Sequence, residues 1–284
     1  MATDRRFPRT SVAGIDLPRM IVGTNWMIGY SHTSPAGDSL IKERHSDRKS
    51  IAAILEVFVA QGIDAVIAPF EGNKALIDGV KLAEDRTGTA ITRIDTPIIN
   101  VDDNRDARRE AEARIAGSAS IGVALCLPHH SSVEQLVNKN LEQIPRLPEY
   151  LSMIRDHGMV PGLSAHMPEL VIYSDKNDYD VETYIQIYNC AGFLMQIEVE
   201  YVNKVIWNAR KPVITIKPLA AGRVSPFVGL TFSFATIRPT DMVAVGCFTP
   251  AEAAEDVEIA LAAIERRQSD LEGRESPNRT AIMT

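Results

Sequence analysis

The feature that most constrains this chain is an alternation, repeated eight times, of a short apolar run and a longer segment with helical spacing. The apolar runs fall at 18–29, 64–69, 96–101, 121–127, 160–164, 181–188, 212–219 and 242–246. The segments between them, at 48–61, 73–84, 104–115, 133–156, 193–209, 225–236 and 250–268, read as helices: 48–61 repeats apolar residues at Ile51, Ile54, Leu55 and Phe58, and 104–115 is strongly charged. A further short helix begins at Met167–Pro168, and Pro145 and Pro148 interrupt the 133–156 stretch. Capping residues punctuate the pattern: Asp47 and Asn73 before two of the helices, Ser131 or Ser132 before a third, and Gly62 after the first. Strands that are apolar throughout, rather than alternating, belong to a parallel sheet covered by helices on its faces. Eight such units predict a (β/α)8 TIM barrel. An open doubly wound sheet is the alternative, and no Gly-x-Gly-x-x-Gly loop follows any strand to support a Rossmann domain.

A chain of 284 residues suits one barrel domain over 1–284, with 1–12 and 269–284 expected as loose tails. A hydrophobic share of 45% with 24% charged residues is that of a globular protein with a substantial core. The net charge of −7 argues against a nucleic-acid or anionic-membrane surface. No apolar run of membrane-spanning length and no secretory segment near Met1 is present, so a cytoplasmic protein acting on a small molecule is expected. Cys126, Cys190 and Cys247 lack metal-type spacing and read as small buried hydrophobes of a reducing compartment.

A parallel barrel builds its site where the strands end. The polar residues at those ends are Asn25, Glu71, Asn100, His129, His130, Ser164, His166, Gln186, Asn189 and Lys217. Lys217 stands in an otherwise apolar run, and a buried ammonium is costly unless it has a task. Three imidazoles and a carboxylate at one rim allow two kinds of chemistry. His129, His166 and Glu71 could ligate a divalent metal such as Mn²⁺ or Zn²⁺ acting as a Lewis acid. Alternatively, a histidine with Lys217 or Glu71 could remove a proton beside a carbonyl. Either suits a lyase, isomerase or hydrolase with a sugar-like hydroxylated or carbonyl substrate. His32 and His45 lie in the long first loop, where they could fold over the mouth as a lid. His157 before Gly158 reads as structural at a helix C-terminus, and Glu198 and Glu200 as a solvated helix face.

Several short motifs resemble the aldo-keto reductase family, a barrel of NAD(P)H-dependent oxidoreductases. LPRMIVGTNW is similar to that family's first strand, GLSAH at 162–166 to its Gly-x-Ser-x stretch, and YIQIYN at 184–189 to its sixth strand. KPLAAGRV at 217–224 and DMVAVGCFTPAEAAEDV resemble its last two strand–loop units. The resemblance implies that Ser164 and Gln186 would hold a nicotinamide amide, with Asn189 beside them. The family's catalytic Asp, Tyr and Lys have no counterparts: Ile67 stands where the Asp belongs and Glu71 where the Tyr belongs, and the TPIINV strand offers Asn100 but no Lys. The fourth position survives as His129 or His130. The last loop carries Cys247, Phe248, Glu252 and Glu255 where the family grips a 2′-phosphate with a basic residue. Three functions follow as expectations: a non-redox enzyme on an aldo-keto-reductase-like barrel, an NAD(P)-dependent oxidoreductase with an atypical acid, and a non-catalytic ligand-binding barrel.

Overall fold

The structure, a computed structural model, describes residues 6–271. Two short strands, β1 (Arg9–Val12) and β2 (Ile15–Pro18), open the chain. Eight more follow: β3 (Met20–Gly23), β4 (Ala65–Ala68), β5 (Thr92–Asp95), β6 (Val123–Cys126), β7 (Val160–Ala165), β8 (Thr183–Ile187), β9 (Val213–Ile216) and β10 (Met242–Gly246). These eight close into a barrel of parallel neighbours in the order β10-β3-β4-β5-β6-β7-β8-β9.

Closure follows from the residues. Successive side chains of a strand point to opposite faces, and here both faces are buried. In β3, Ile21 points into the barrel with Ile67, Ile94, Leu125, Ile185 and Ile214, while Met20 and Val22 pack outward against the helices. Both sets are apolar, which is why no strand alternates in sequence. Gly162 in β7 marks a close approach: a Cβ there would lie 2.5 Å from Leu127 Cγ and 2.8 Å from the Thr183 carbonyl.

Asp47 caps its helix as predicted, and Thr249 caps another. Asp47 accepts from the Lys49 and Ser50 amides and begins Arg48–Ala60; Thr249 accepts from the Glu252 amide and begins Pro250–Glu265. Asn73 caps nothing, because its amide donates instead to the Pro69 and Glu71 carbonyls. The cap after β6 is His129 rather than a serine, and the expected long helix resolves into short turns followed by Leu147–Asp156. After β8 the helix starts at Val199, leaving residues 193–198 as loop.

Three expectations need correction. Residues 9–12 are not a loose tail: β1 pairs antiparallel with β2, and Val12 and Leu17 join the barrel-interior cluster beside Ala65 and Met242, the first residues of their strands. The third barrel strand is Thr92–Asp95, not 96–101. Pro97 lacks a ladder N–H, whereas the polar Thr92-Arg93 start is tolerated because Arg93 pairs with Glu84 at 2.6 Å. The long first loop contains a helix, Pro35–Arg44, capped by Ser34. At the other end, residues 269–271 follow the last helix without regular structure, and the remainder of the expected tail lies outside the described residues.

Candidate functional site

The C-terminal ends of the strands surround a cavity of about 870 Å³, within the range of small-molecule sites. Ile67, Ile185, Ile216 and Ala244 form an apolar floor. Asn25, Glu71, His129, His130, Ser164, His166 and Lys217 all line the cavity, as expected of strand-end residues.

Its polar wall is a row of three imidazoles. The His130 ring stacks on His166 with centroids 3.8 Å apart and planes 14° apart, and His129 lies 4.2 Å from His130 on the other side. Glu134, one helical turn after His130, holds the row: its carboxylate accepts the His166 and Met167 amides at 2.6 and 2.8 Å and stands 3.5 Å from His130 Nδ1. Burial opposes the Glu134 charge, but the hydrogen bonds from His130 and the two amides outweigh it, so its carboxyl lies below the usual value. His129 Nδ1 accepts from the Ser131 amide at 3.3 Å and is 2.7 Å from the Ser131 hydroxyl, which assigns the ring proton to Nε2. Burial, then the positive charges of His130 and Lys217, push His129 down to about 4 and His166 down to about 3. Both are neutral donors and acceptors at neutral pH.

Lys217 follows β9 directly, in a left-handed backbone conformation with φ of 60°. Its Nζ lies 3.0 Å from His32 Nε2, which also lies 3.0 Å from the Asn25 amide nitrogen. Two donors on one nitrogen mean that His32 Nε2 is the acceptor. Among the described residues no carboxylate forms an ion pair with Lys217, and burial alone pulls its ammonium down to about 8. The corner is held from behind by the helix Pro226–Thr236, where Gly229 lets the Pro218 carbonyl approach; a Cβ would sit 2.5 Å from that oxygen.

The far wall is aromatic and acidic. Phe248 packs edge-on to Trp26 at 6.1 Å and to His45 at 5.2 Å. Asp256 is 2% exposed and lines the cavity with Glu252 and Glu255. Its Oδ2 accepts from the Cys247 thiol at 3.2 Å, its Oδ1 has no partner among the described residues, and burial raises its carboxyl to about 7. Burial likewise raises the Cys126 and Cys247 thiols, in keeping with inert core cysteines.

Other expected site residues sit elsewhere. Asn100, beyond the true end of β5, donates to Glu110 and accepts from the Asp102 amide, outside the cavity lining. Asn189 clamps its own loop through both backbone groups of Phe193. Gln186 is fully buried, with its Nε2 3.4 Å from the His166 and Ile187 carbonyls and its Oε1 unpartnered among the described residues. Glu71 stays at the rim, ion-paired with Arg114. The two lid histidines separate: His32 reaches Lys217, while His45 is 4% exposed and fixed between Ser50 and the Phe248 carbonyl. Glu134 and Asp256 were missed, though each left a trace: Glu134 follows His130 by four residues, and Asp256 interrupts the apolar stripe of Ala253, Val257 and Ala260.

A metal fits poorly on His129, His166 and Glu71. Glu71 is engaged by Arg114, His166 is face to face with His130, and among the described residues no three His, Cys, Asp or Glu side chains converge as ligands. A phosphorylated dinucleotide also fits poorly. Asn189 is committed to its loop, and Glu252 and Glu255 line the last loop, where by the resemblance a 2′-phosphate would lie and meet repulsion.

No protein-family model and no curated protein matches the chain. Solved structures do. A putative aldo-keto reductase from Pseudomonas aeruginosa is similar at TM-score 0.65 and 16% identity, over 93% of this chain and 99% of that one. A glycerol dehydrogenase from Gluconobacter oxydans is similar at TM-score 0.55 and 14% identity, over 97% and 100%. An aldo/keto reductase from Klebsiella pneumoniae, solved with NADP and acetate, is similar at TM-score 0.57 and 14% identity, over 93% and 92%. At such identities the likeness establishes the fold alone.

Proposed function

We propose that this aldo-keto-reductase-like barrel is an enzyme that moves a proton beside the carbonyl of a small hydroxylated compound, as an isomerase or lyase does. The observation that carries the reading is Lys217: an amine without a carboxylate partner among the described residues, at a barrel strand end, over an apolar floor and in the same cavity as the neutral imidazoles of His129 and His166. A group that titrates near neutral pH is suited to exchange protons with substrate. The unprotonated Lys217 amine takes the proton from the carbon beside the carbonyl. The Nε2–H of His129 faces the carbonyl oxygen and stabilises the developing enolate, a role for which a neutral imidazole donor suffices. His32 and Asn25 orient the amine. Ile67, Ile185 and Ile216 keep the floor dry, which strengthens each of these interactions.

The experiment is solvent exchange. Hydroxyacetone and dihydroxyacetone incubated with the protein in D₂O are expected to gain deuterium beside the carbonyl without added nicotinamide, and to lose this with Lys217→Met or with His129→Ala. No exchange together with reduction that needs NADH or NADPH would replace this reading with the oxidoreductase one. Saturable ligand binding with no turnover of any kind would replace it with the binding-barrel one.

A further inference from the structure

Resting on that reading of the mouth, we infer that Lys217 is a covalent nucleophile, whose Nζ forms an imine with a small hydroxylated aldehyde or ketone bound in the cavity. Four observations lead there. First, among the described residues the polar contact of Nζ is a single neutral imidazole nitrogen, His32 Nε2 at 3.0 Å, rather than a carboxylate that would lock it as an ammonium. Second, the amine stands over Ile67, Ile185 and Ile216, a desolvated floor that favours the uncharged, nucleophilic form. Third, the surroundings already hold three histidines as proton carriers, so the capacity that lysine alone adds is that of an amine nucleophile. Fourth, the amine is carried on a fixed corner: φ of 60° at Lys217, the Gly229 contact behind it, and Asn25 bracing His32.

The step balances without oxidant or reductant. The Nζ lone pair attacks the carbonyl carbon, and the C=O π pair moves to oxygen, where the Nε2–H of His129 hydrogen-bonds the oxyanion. Nζ gives a proton to His32 Nε2, which passes it to that oxygen, leaving a neutral carbinolamine. The hydroxyl takes one solvent proton relayed by His32 and departs as water as the nitrogen lone pair forms the C=N bond. The resulting protonated imine is a stronger electron sink than the carbonyl, so the neighbouring C–H or C–C bond is weakened for isomerisation or cleavage. With Nζ bound in the imine, the role of base given above to the free amine passes to His166, which is unprotonated at neutral pH and lines the same cavity.

Two probes test this on the full chain. Dihydroxyacetone with sodium borohydride is expected to add one probe mass less one oxygen, on the peptide containing Lys217. Acetylacetone is expected to give the near-ultraviolet band of an enaminone at the same residue. At pH 8 an amine titrating near 8 is neutral roughly a hundredfold more often than an ordinary surface lysine, so labelling at Lys217 should outrun the surface lysines by tenfold or more. Lys217→Met and Lys217→Arg should both abolish the adduct, the arginine variant keeping the charge and serving as the check on folding. Absence of an adduct at Lys217 while wild-type deuterium exchange persists would overturn the imine and leave Lys217 as a base. Full exchange in Lys217→Arg would overturn it as well. Absence of both adduct and exchange would overturn the imine together with the carbonyl reading beneath it.

Discussion

Replacing Lys217 by methionine removes the ammonium and keeps most of the side-chain volume. Burial holds this group at about 8, against 10.5 for a free side chain. At about 1.4 kcal/mol per pKa unit, the folded state then carries a charge penalty on the order of 3 kcal/mol whenever Lys217 is protonated in both states. Loss of the contact with His32 returns about 1 kcal/mol. Lys217→Met should therefore be more stable than the wild type by about 2 kcal/mol at pH 7. The sign follows from linkage. With the folded pKa lowered, the unfolded chain binds more protons between pH 8 and 10.5, so wild-type stability rises through that window relative to the variant. Urea unfolding of both proteins from pH 7 to 10.5, followed by tryptophan emission, measures the difference. The gap should close as pH rises. A gap independent of pH, or a variant less stable at pH 7, would refute the claim that the amine is desolvated.

Asp256→Asn should stabilise the protein by about 2–4 kcal/mol at pH 8 and by little at pH 4, because with the folded pKa raised to about 7 the unfolded chain loses its proton first and the wild type loses stability as pH rises from about 4 to about 7; paired urea titrations at the two pH values check this. Glu134→Gln should cost about 1–3 kcal/mol at pH 7 by weakening its bonds to the His166 and Met167 amides. That cost should shrink in acid, below the usual carboxylate range, where the wild-type carboxyl protonates, as thermal unfolding at neutral and acid pH will show. Gly229→Ala gains ~0.5–1 kcal/mol of helix propensity but places a Cβ 2.5 Å from the Pro218 carbonyl. Overpacking costs typically ~1–3 kcal/mol, so the variant should unfold at lower urea concentration and label more slowly at Lys217 with acetylacetone.

The barrel was legible because its cause is local and repeated: apolar strands, capped helices and turn residues recur with one period. The strand at 92–95 was not, since its Thr92-Arg93 start is stabilised by Glu84, a residue of the preceding helix that no pattern within the strand reveals. That shift moved Asn100 out of the mouth. Lys217 was readable because a lysine amid β-branched residues violates the burial rule unless it faces a site. His32 was readable as a loop histidine but not as the partner of Lys217, since 185 residues separate them. Asn189 looked like a binding residue because a strand-end amide can face either the mouth or its own loop, and only the closed backbone at Phe193 decides. Gln186 and Ser164 fall between these cases. Ser164 lines the cavity, and Gln186 lies fully buried with an oxygen unpartnered among the described residues.

The central claim is that the titration of Lys217 governs cofactor-independent proton transfer in this mouth, and the pH profile of hydroxyacetone deuterium exchange tests it most directly. With the neutral amine as the active form, the rate should climb with pH through a midpoint near 8, be indifferent to added NADPH, and vanish in Lys217→Met. A profile with no limb near 8, exchange retained in the variant, or a rate that depends on NADPH would contradict the account.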